Sequence, residues 1–176
     1  HMAIRSKSSH DYLRHNKVKL VRGGAEYFQL LDQMISEAKE SIHLQTYIFD
    51  QDETGTAVAD ALIKAAGRKV KIYILVDAYG SQGLSDEFID RLKEAGIYFR
   101  TFQPLFKSKR FYLGRRDHHK LVVVDSKCCT VAGLNISTRY NDTPEGPAWM
   151  DWVLYVEGEV APALEEICKS RLKLRR

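Results

Sequence analysis

The feature that most constrains the fold of this chain is a change of period that repeats along it. Short apolar runs at 18–24 (VKLVRGG), 42–49 (IHLQTYIF), 70–77 (VKIYILVD) and 97–102 (IYFRTF) read as strands. Between them lie segments whose apolar residues recur every three to four positions. The first carries Phe28, Leu31, Met34 and Ile35 on one face, and the second Val58, Ala61, Leu62 and Ala65. The third, 85–96, has Ser85 as an N-cap and Gly96 as a C-cap. Strands alternating with helices of this length predict an α/β fold, with a mixed, largely parallel sheet flanked by helices on both faces. The 176 residues, 44% of them apolar and 28% charged, suit one folded domain.

After Phe102 the rhythm breaks. The segment 103–116 (QPLFKSKRFYLGRR) keeps no period and reads as a long exposed loop, which in a compact domain usually carries function. Two strands follow, in HHKLVVVD (118–125) and CCTVAG (128–133), joined around a DSK turn in which Asp125 is placed to accept from the backbone that follows it. A last strand, DWVLYVEG, and a closing helix, APALEEICKSRLKL, complete the chain.

Why a core strand should begin with two histidines and a lysine is the chemical question. Strand parity puts His118 and Lys120 on one face, and His119, Leu121 and Val123 on the other. Lys120 can then hold a phosphoryl oxygen as a point charge while the His118 imidazole reaches phosphorus. Asn135 donates to the same group if the chain turns back at Gly133. By parity Asp125 faces away from His118 and shapes the turn.

The spacing His118, Lys120, Asp125, with Gly133 and Asn135 beyond, resembles the HxKxxxxD signature of the phospholipase D superfamily. From about Val18 onward the chain is most similar to the N-terminal half of bacterial cardiolipin synthase-like proteins, in ESIHLQTYIFDQDETG, VKIYILVDAYGSQG and GLNISTRYND…WMDWVLYVEGEVA. Ala132 stands where relatives begin a small pair with glycine, and Gln45 where many have glutamate. The resemblance implies a covalent phosphohistidine on His118, with Lys120 and Asn135 neutralising the phosphoryl oxygens and no metal or other cofactor. Asp151 matches the acidic residue that orients the nucleophile, and Asp142 and Glu145 are further acidic candidates. It also implies two signatures facing each other, whereas this chain has one. The opening His1–Met2 reads as an expression-tag remnant, and the resemblance implies that residues 3–176 are a phospholipase D-like domain, half of a two-signature protein or one copy of a homodimer.

The net charge of +4 is concentrated in the 103–116 segment and in the terminal KSRLKLRR. Lys109, Arg110, Arg115 and Arg116 are the candidate substrate-binding cations. They suit an anionic phospholipid at a membrane surface; interleaved with Phe111 and Tyr112, they also suit a nucleic-acid backbone. Three classes therefore stay open: a lipid phosphodiesterase or phosphatidyltransferase, a homodimeric nuclease, and a non-catalytic scaffold. The chain has no run of about 18 apolar residues of the kind that crosses a membrane, so the expected setting is cytoplasmic or membrane-associated in a bacterium, any N-terminal membrane segment lying outside this chain. Cys128, Cys129 and Cys168 lack a metal-ligand spacing and are expected to be free thiols.

Overall fold

The computed structural model describes residues 16–102, 120–133, 136–146 and 152–173. Seven strands form one sheet: β1 (Asn16–Arg22), β2 (Ser41–Thr46), β3 (Lys71–Asp77), β4 (Tyr98–Phe102), β5 (Lys120–Val124), β6 (Cys128–Ala132) and β7 (Trp152–Gly158). Their spatial order is β1-β7-β6-β5-β2-β3-β4. The helices are α1 (Ala25–Glu37), α2 (Glu53–Gly67), α3 (Asp86–Glu94) and α4 (Val160–Lys173).

The sheet is mixed, and its balance differs from the expected largely parallel arrangement. β2, β3 and β4 run parallel. The other four pairings, β2–β5, β5–β6, β6–β7 and β7–β1, are antiparallel. The reason is local. The helical crossovers of the first half return the chain for parallel pairing, while the short DSK connection can only reverse it. Asp125 and Ser126 sit at φ 54° and 55°, the consecutive left-handed residues of a type I′ hairpin turn.

Helices flank both faces. Tyr27, Phe28, Leu31, Met34 and Ile35 of α1, Val58, Ala59, Leu62 and Ala65 of α2, and Phe88 and Leu92 of α3 pack on Ile42, Leu44, Ile72, Ile74, Val76, Val122 and Val124. On the opposite face a smaller core joins Leu121, Val123, Cys129 and Val156 to Ala161 and Cys168 of α4. The alternation along β5 is thus the expected one, with Val122 and Val124 on one face and Leu121 and Val123 on the other.

The predicted caps of α3 are present. Ser85 Oγ accepts from Phe88 N at 3.1 Å. Gly96, at φ 89°, is the left-handed residue just past the helix, where its N–H bonds Lys93 O and that of Ile97 bonds Leu92 O. β2 stops three residues short of the expected strand, because Ile48 and Asp50 leave the ladder to bond Ile136 instead. The cysteines are free thiols, and burial pushes Cys129 up to about 11 and Cys168 up to about 12. Neither is a ready nucleophile.

Candidate phosphodiesterase site

The strand ends that carry the signature converge at one end of the sheet. Gln45 pairs with Leu121, so the next rung sets Thr46, the last residue of β2, beside Lys120, the first of β5. Lys120 pairs with Ala132, the last residue of β6, and Ala132 pairs with Val153 near the start of β7. Gly133 follows Ala132 as an exposed bend. His118 precedes this row by two residues, Asp151 precedes β7 by one, and Asn135 follows Gly133 by two; all three lie outside the described residues, as do Lys109, Arg110, Arg115 and Arg116. Lys120 is only 6% exposed. A cation on a side chain this buried is kept charged by polar or anionic neighbours, an environment in which a phosphoryl oxygen is also bound.

Asp125 stands at the other end of β5, and its carboxylate does not cap the backbone that follows. It accepts instead from Lys39 N at 2.9 Å, Glu40 N at 2.7 Å and Ser41 N at 3.0 Å, where the chain enters β2. Burial pushes its pKa up. The three backbone donors, with Lys127 nearby, outweigh that and hold it below the ordinary carboxylate value.

Gln45 faces away from Lys120, toward α4. Its Nε2 donates to Cys168 O at 3.3 Å and its Oε1 accepts from Arg171 Nη1 at 3.0 Å. Beside it His43 is buried, stacked on Tyr73 with ring centroids 4.7 Å apart, its Nε2 3.5 Å from Glu165 Oε1. Asp142, one of the alternative acids, accepts from Ala25 N at 3.0 Å and so holds the start of α1. Glu145 lies in the same loop.

Two aspartates that the sequence reading missed shape the loops at the signature end. Asp77, 1% exposed at the end of β3, accepts from Tyr79 N at 2.8 Å and Gly80 N at 3.0 Å. The turn it holds presses on the loop after β2, since a Cβ on Gly80 would lie 2.0 Å from Tyr47 O. Asp52 caps α2 through Gly55 N at 2.9 Å and also accepts from Thr138 N at 2.8 Å. The first role was legible, because DET before a helical period is an N-cap pattern; the second was not.

Residues 31–145 match the family model described as "Cardiolipin synthase, PLD-like domain". Cardiolipin synthase B of Escherichia coli (strain K12) is 37% identical over 161 residues, which is 90% of this chain and 38% of that protein. The chain therefore spans well under half the length of this relative. Among solved structures, NucT from Helicobacter pylori superposes with a TM-score of 0.68 at 19% identity, covering 90% of this chain and 96% of that one. The phospholipase D family member Nuc from Salmonella typhimurium gives 0.67 at 19%, covering 90% and 95%. At such identities the two structures speak for the fold alone.

Proposed function

This chain belongs to the phospholipase D superfamily and is similar to cardiolipin synthase, and from that premise we propose that it carries one half of a site for phosphodiester hydrolysis or phosphatidyl transfer on phospholipids. The observation that carries the proposal is Lys120, buried at the strand end where β5, β6 and β7 meet in register, two residues after a histidine and beside the glycine bend that leads to Asn135.

In this reading His118 Nε2 attacks phosphorus, a P–N bond forms and the P–O bond to the leaving alcohol breaks. Lys120 and Asn135 hold the nonbridging oxygens as negative charge grows on them. Asp151 keeps the imidazole in the tautomer that leaves the attacking nitrogen unprotonated. The histidine of a second signature gives its proton to the leaving alkoxide, then takes one from the water or alcohol that attacks the phosphohistidine and frees His118. The second signature comes from the remaining length of a longer protein or from another copy of this chain. Lys109, Arg110, Arg115 and Arg116 meet the anionic head groups.

His118→Ala should abolish turnover in an assembly that has both signatures, with an expected loss of at least about a thousandfold, while His119→Ala keeps most of it. Equal losses would overturn the assignment of the nucleophile by strand parity. Since Lys120 and Asn135 meet the phosphoryl charge, turnover should survive a chelator; loss on chelation with recovery on added magnesium would contradict the mechanism. Phosphatidylglycerol vesicles should be turned over in preference to single-stranded DNA. The reverse preference would replace the lipid reading with the nuclease one, and an assembly inert toward both would favour the scaffold.

A further inference from the structure

We infer that Asp52 is a positioning residue for this site, holding the segment that follows Asn135 against the loop that follows β2 and so fixing the reach of Asn135 relative to Lys120. The inference rests on the reading of Lys120 and Asn135 given above.

A helix N-terminus needs one acceptor from its capping side chain, and Asp52 Oδ1 supplies it to Gly55 N at 2.9 Å. The other oxygen is engaged across the fold. Oδ2 accepts from Thr138 N at 2.8 Å and from Ser137 Oγ at 3.2 Å, 86 and 85 residues away in sequence.

These bonds belong to a lock between two loops. Ile136 N donates to Ile48 O at 3.0 Å, and Asp50 N donates to Ile136 O at 2.9 Å. Thr54 N donates to Thr138 Oγ1 at 3.3 Å, and that hydroxyl donates to Thr54 Oγ1 at 3.2 Å. The contact is dry, with Phe49 at 0%, Ile136 at 2% and Ser137 at 1% exposure. It is also tight. A Cβ on Gly55 would lie 1.7 Å from Asp50 O, so only glycine lets the first loop fold onto the helix start.

The lock joins the loop that leaves β2 to residues 136–138. One loop leaves β2 at Thr46, the rung beside Lys120, and the other begins immediately after Asn135. An amide that must meet a developing oxyanion has to be held within about half an ångström, and a misplacement of about 1 Å costs roughly a hundredfold in rate. A carboxylate that bonds the backbone three residues beyond that amide supplies such a constraint.

Asp52→Asn separates the two roles. It keeps Oδ1 for Gly55 N and turns an N–H toward Thr138 N, where an acceptor is required. Asp52→Ser gives a second route to the same end, since a hydroxyl caps a helix well but is too short to serve both loops. In both variants the amide of Thr138 should exchange with solvent at least about tenfold faster while Gly55 stays protected, and the melting temperature should fall by only a few degrees. Inorganic phosphate, followed by the NMR shifts of Lys120 and of the Asn135 side-chain amide, should bind about tenfold more weakly. In an assembly that turns over, kcat should drop by about ten- to a hundredfold with KM little changed.

Unchanged phosphate affinity and kcat in a variant whose Thr138 amide has been released would overturn the inference. So would losses in Asp52→Asn and Asp52→Ser that merely track a collapse in stability equal to that of Asp52→Ala, since Asp52 would then be a helix cap and nothing more. Wild-type protein in which phosphate shifts neither Lys120 nor Asn135 would remove the reading beneath the inference and the inference with it, a result distinguishable because the exchange rates at Thr138 report the lock independently.

Discussion

Asp125 completes the signature, yet it does not act where Lys120 acts. Four residues lie between them, a separation of about 17 Å for extended chain, and Asp125 spends its two oxygens on the N–H groups of Lys39, Glu40 and Ser41. It therefore anchors the entry to β2, the strand that runs beside Lys120, and its contribution to the site is indirect. Asp125→Ala should cost about 2–3 kcal/mol of stability, the scale of losing charge-assisted backbone hydrogen bonds that are partly open to water. Because its folded pKa is depressed, the stabilisation is present in full above the ordinary value of 3.8 and is lost as the pH falls through the lower folded value. Acid unfolding of the wild type and of Asp125→Asn checks this: the variant should lose that component of the acid slope, and identical slopes would sink the argument. The position of Asp125 on a turn was legible from its place after an apolar run. Its partners were not, since they lie 84 to 86 residues earlier and no local pattern encodes such a meeting.

Among the elements, α4 is attached to β2 by polar contacts and to β5 and β6 by the small core of Leu121, Val123, Cys129 and Cys168. His43 is the titrating member. Burial pushes its pKa down, Glu165 pulls it back up and Lys169 lowers it again, with a net value below 6.5. Tyr73 stacks on the ring, and Arg171 reaches Gln45 on the same face. A folded pKa below the unfolded one means that the unfolded chain binds the proton more readily. The docking of α4 is therefore fully stable above 6.5 and weakens as the pH drops through the folded value. His43→Phe, which keeps the stack on Tyr73, should flatten the stability difference between about pH 7.5 and about pH 5.5 in urea titrations; an undiminished difference would assign it to another group.

The same elements show what sequence can carry. The helices and inner strands were legible because their faces repeat at 3.6 and 2 residues, and α1 buries the four residues its period singles out. Antiparallel pairing through the sheet centre is the weaker signal in the sequence, since the βαβ rhythm spans the whole first half while the reversal rests on a single three-residue turn. The pairing of β1 with β7 joins strands at opposite ends of the chain, beyond any local signal.

At the scale of the whole molecule the proposed mechanism raises the question of where the leaving alkoxide would obtain its proton. His43 is buried behind β2 and engaged with Glu165, on the face toward α4, so it is not available to a substrate at Lys120. No other histidine completes the signature: His15 has Lys17 two residues on, but Arg22 stands where the aspartate would be. In the proposed mechanism the acid then comes from another copy of His118 or from the second half of a longer protein, and the E. coli relative, of which this chain spans 38%, has the length for one. If a second copy supplies it, the interface is isologous and brings the two His118 side chains together across a twofold axis. Among the described residues an exposed apolar stretch lies at the β1–β7 edge, on the face shared with Leu121 and α4 and away from Lys120. Leu20 and Leu154 face each other across the β1–β7 ladder at 58% and 39% exposure, with Trp152 at 52% on the next like-facing rung. Neighbouring exposed apolar side chains of this kind are where a protein contact forms if they belong to a larger patch. The isolated chain should associate weakly and show little turnover, the two rising together with concentration, and Leu20→Lys with Leu154→Lys should lower both while leaving the fold intact on a half-exposed edge. Sedimentation with a parallel phosphodiesterase assay decides the matter: a strictly monomeric chain with robust, His118-dependent turnover would overturn the two-histidine mechanism, and association that the paired lysines leave untouched would move the contact elsewhere on the molecule.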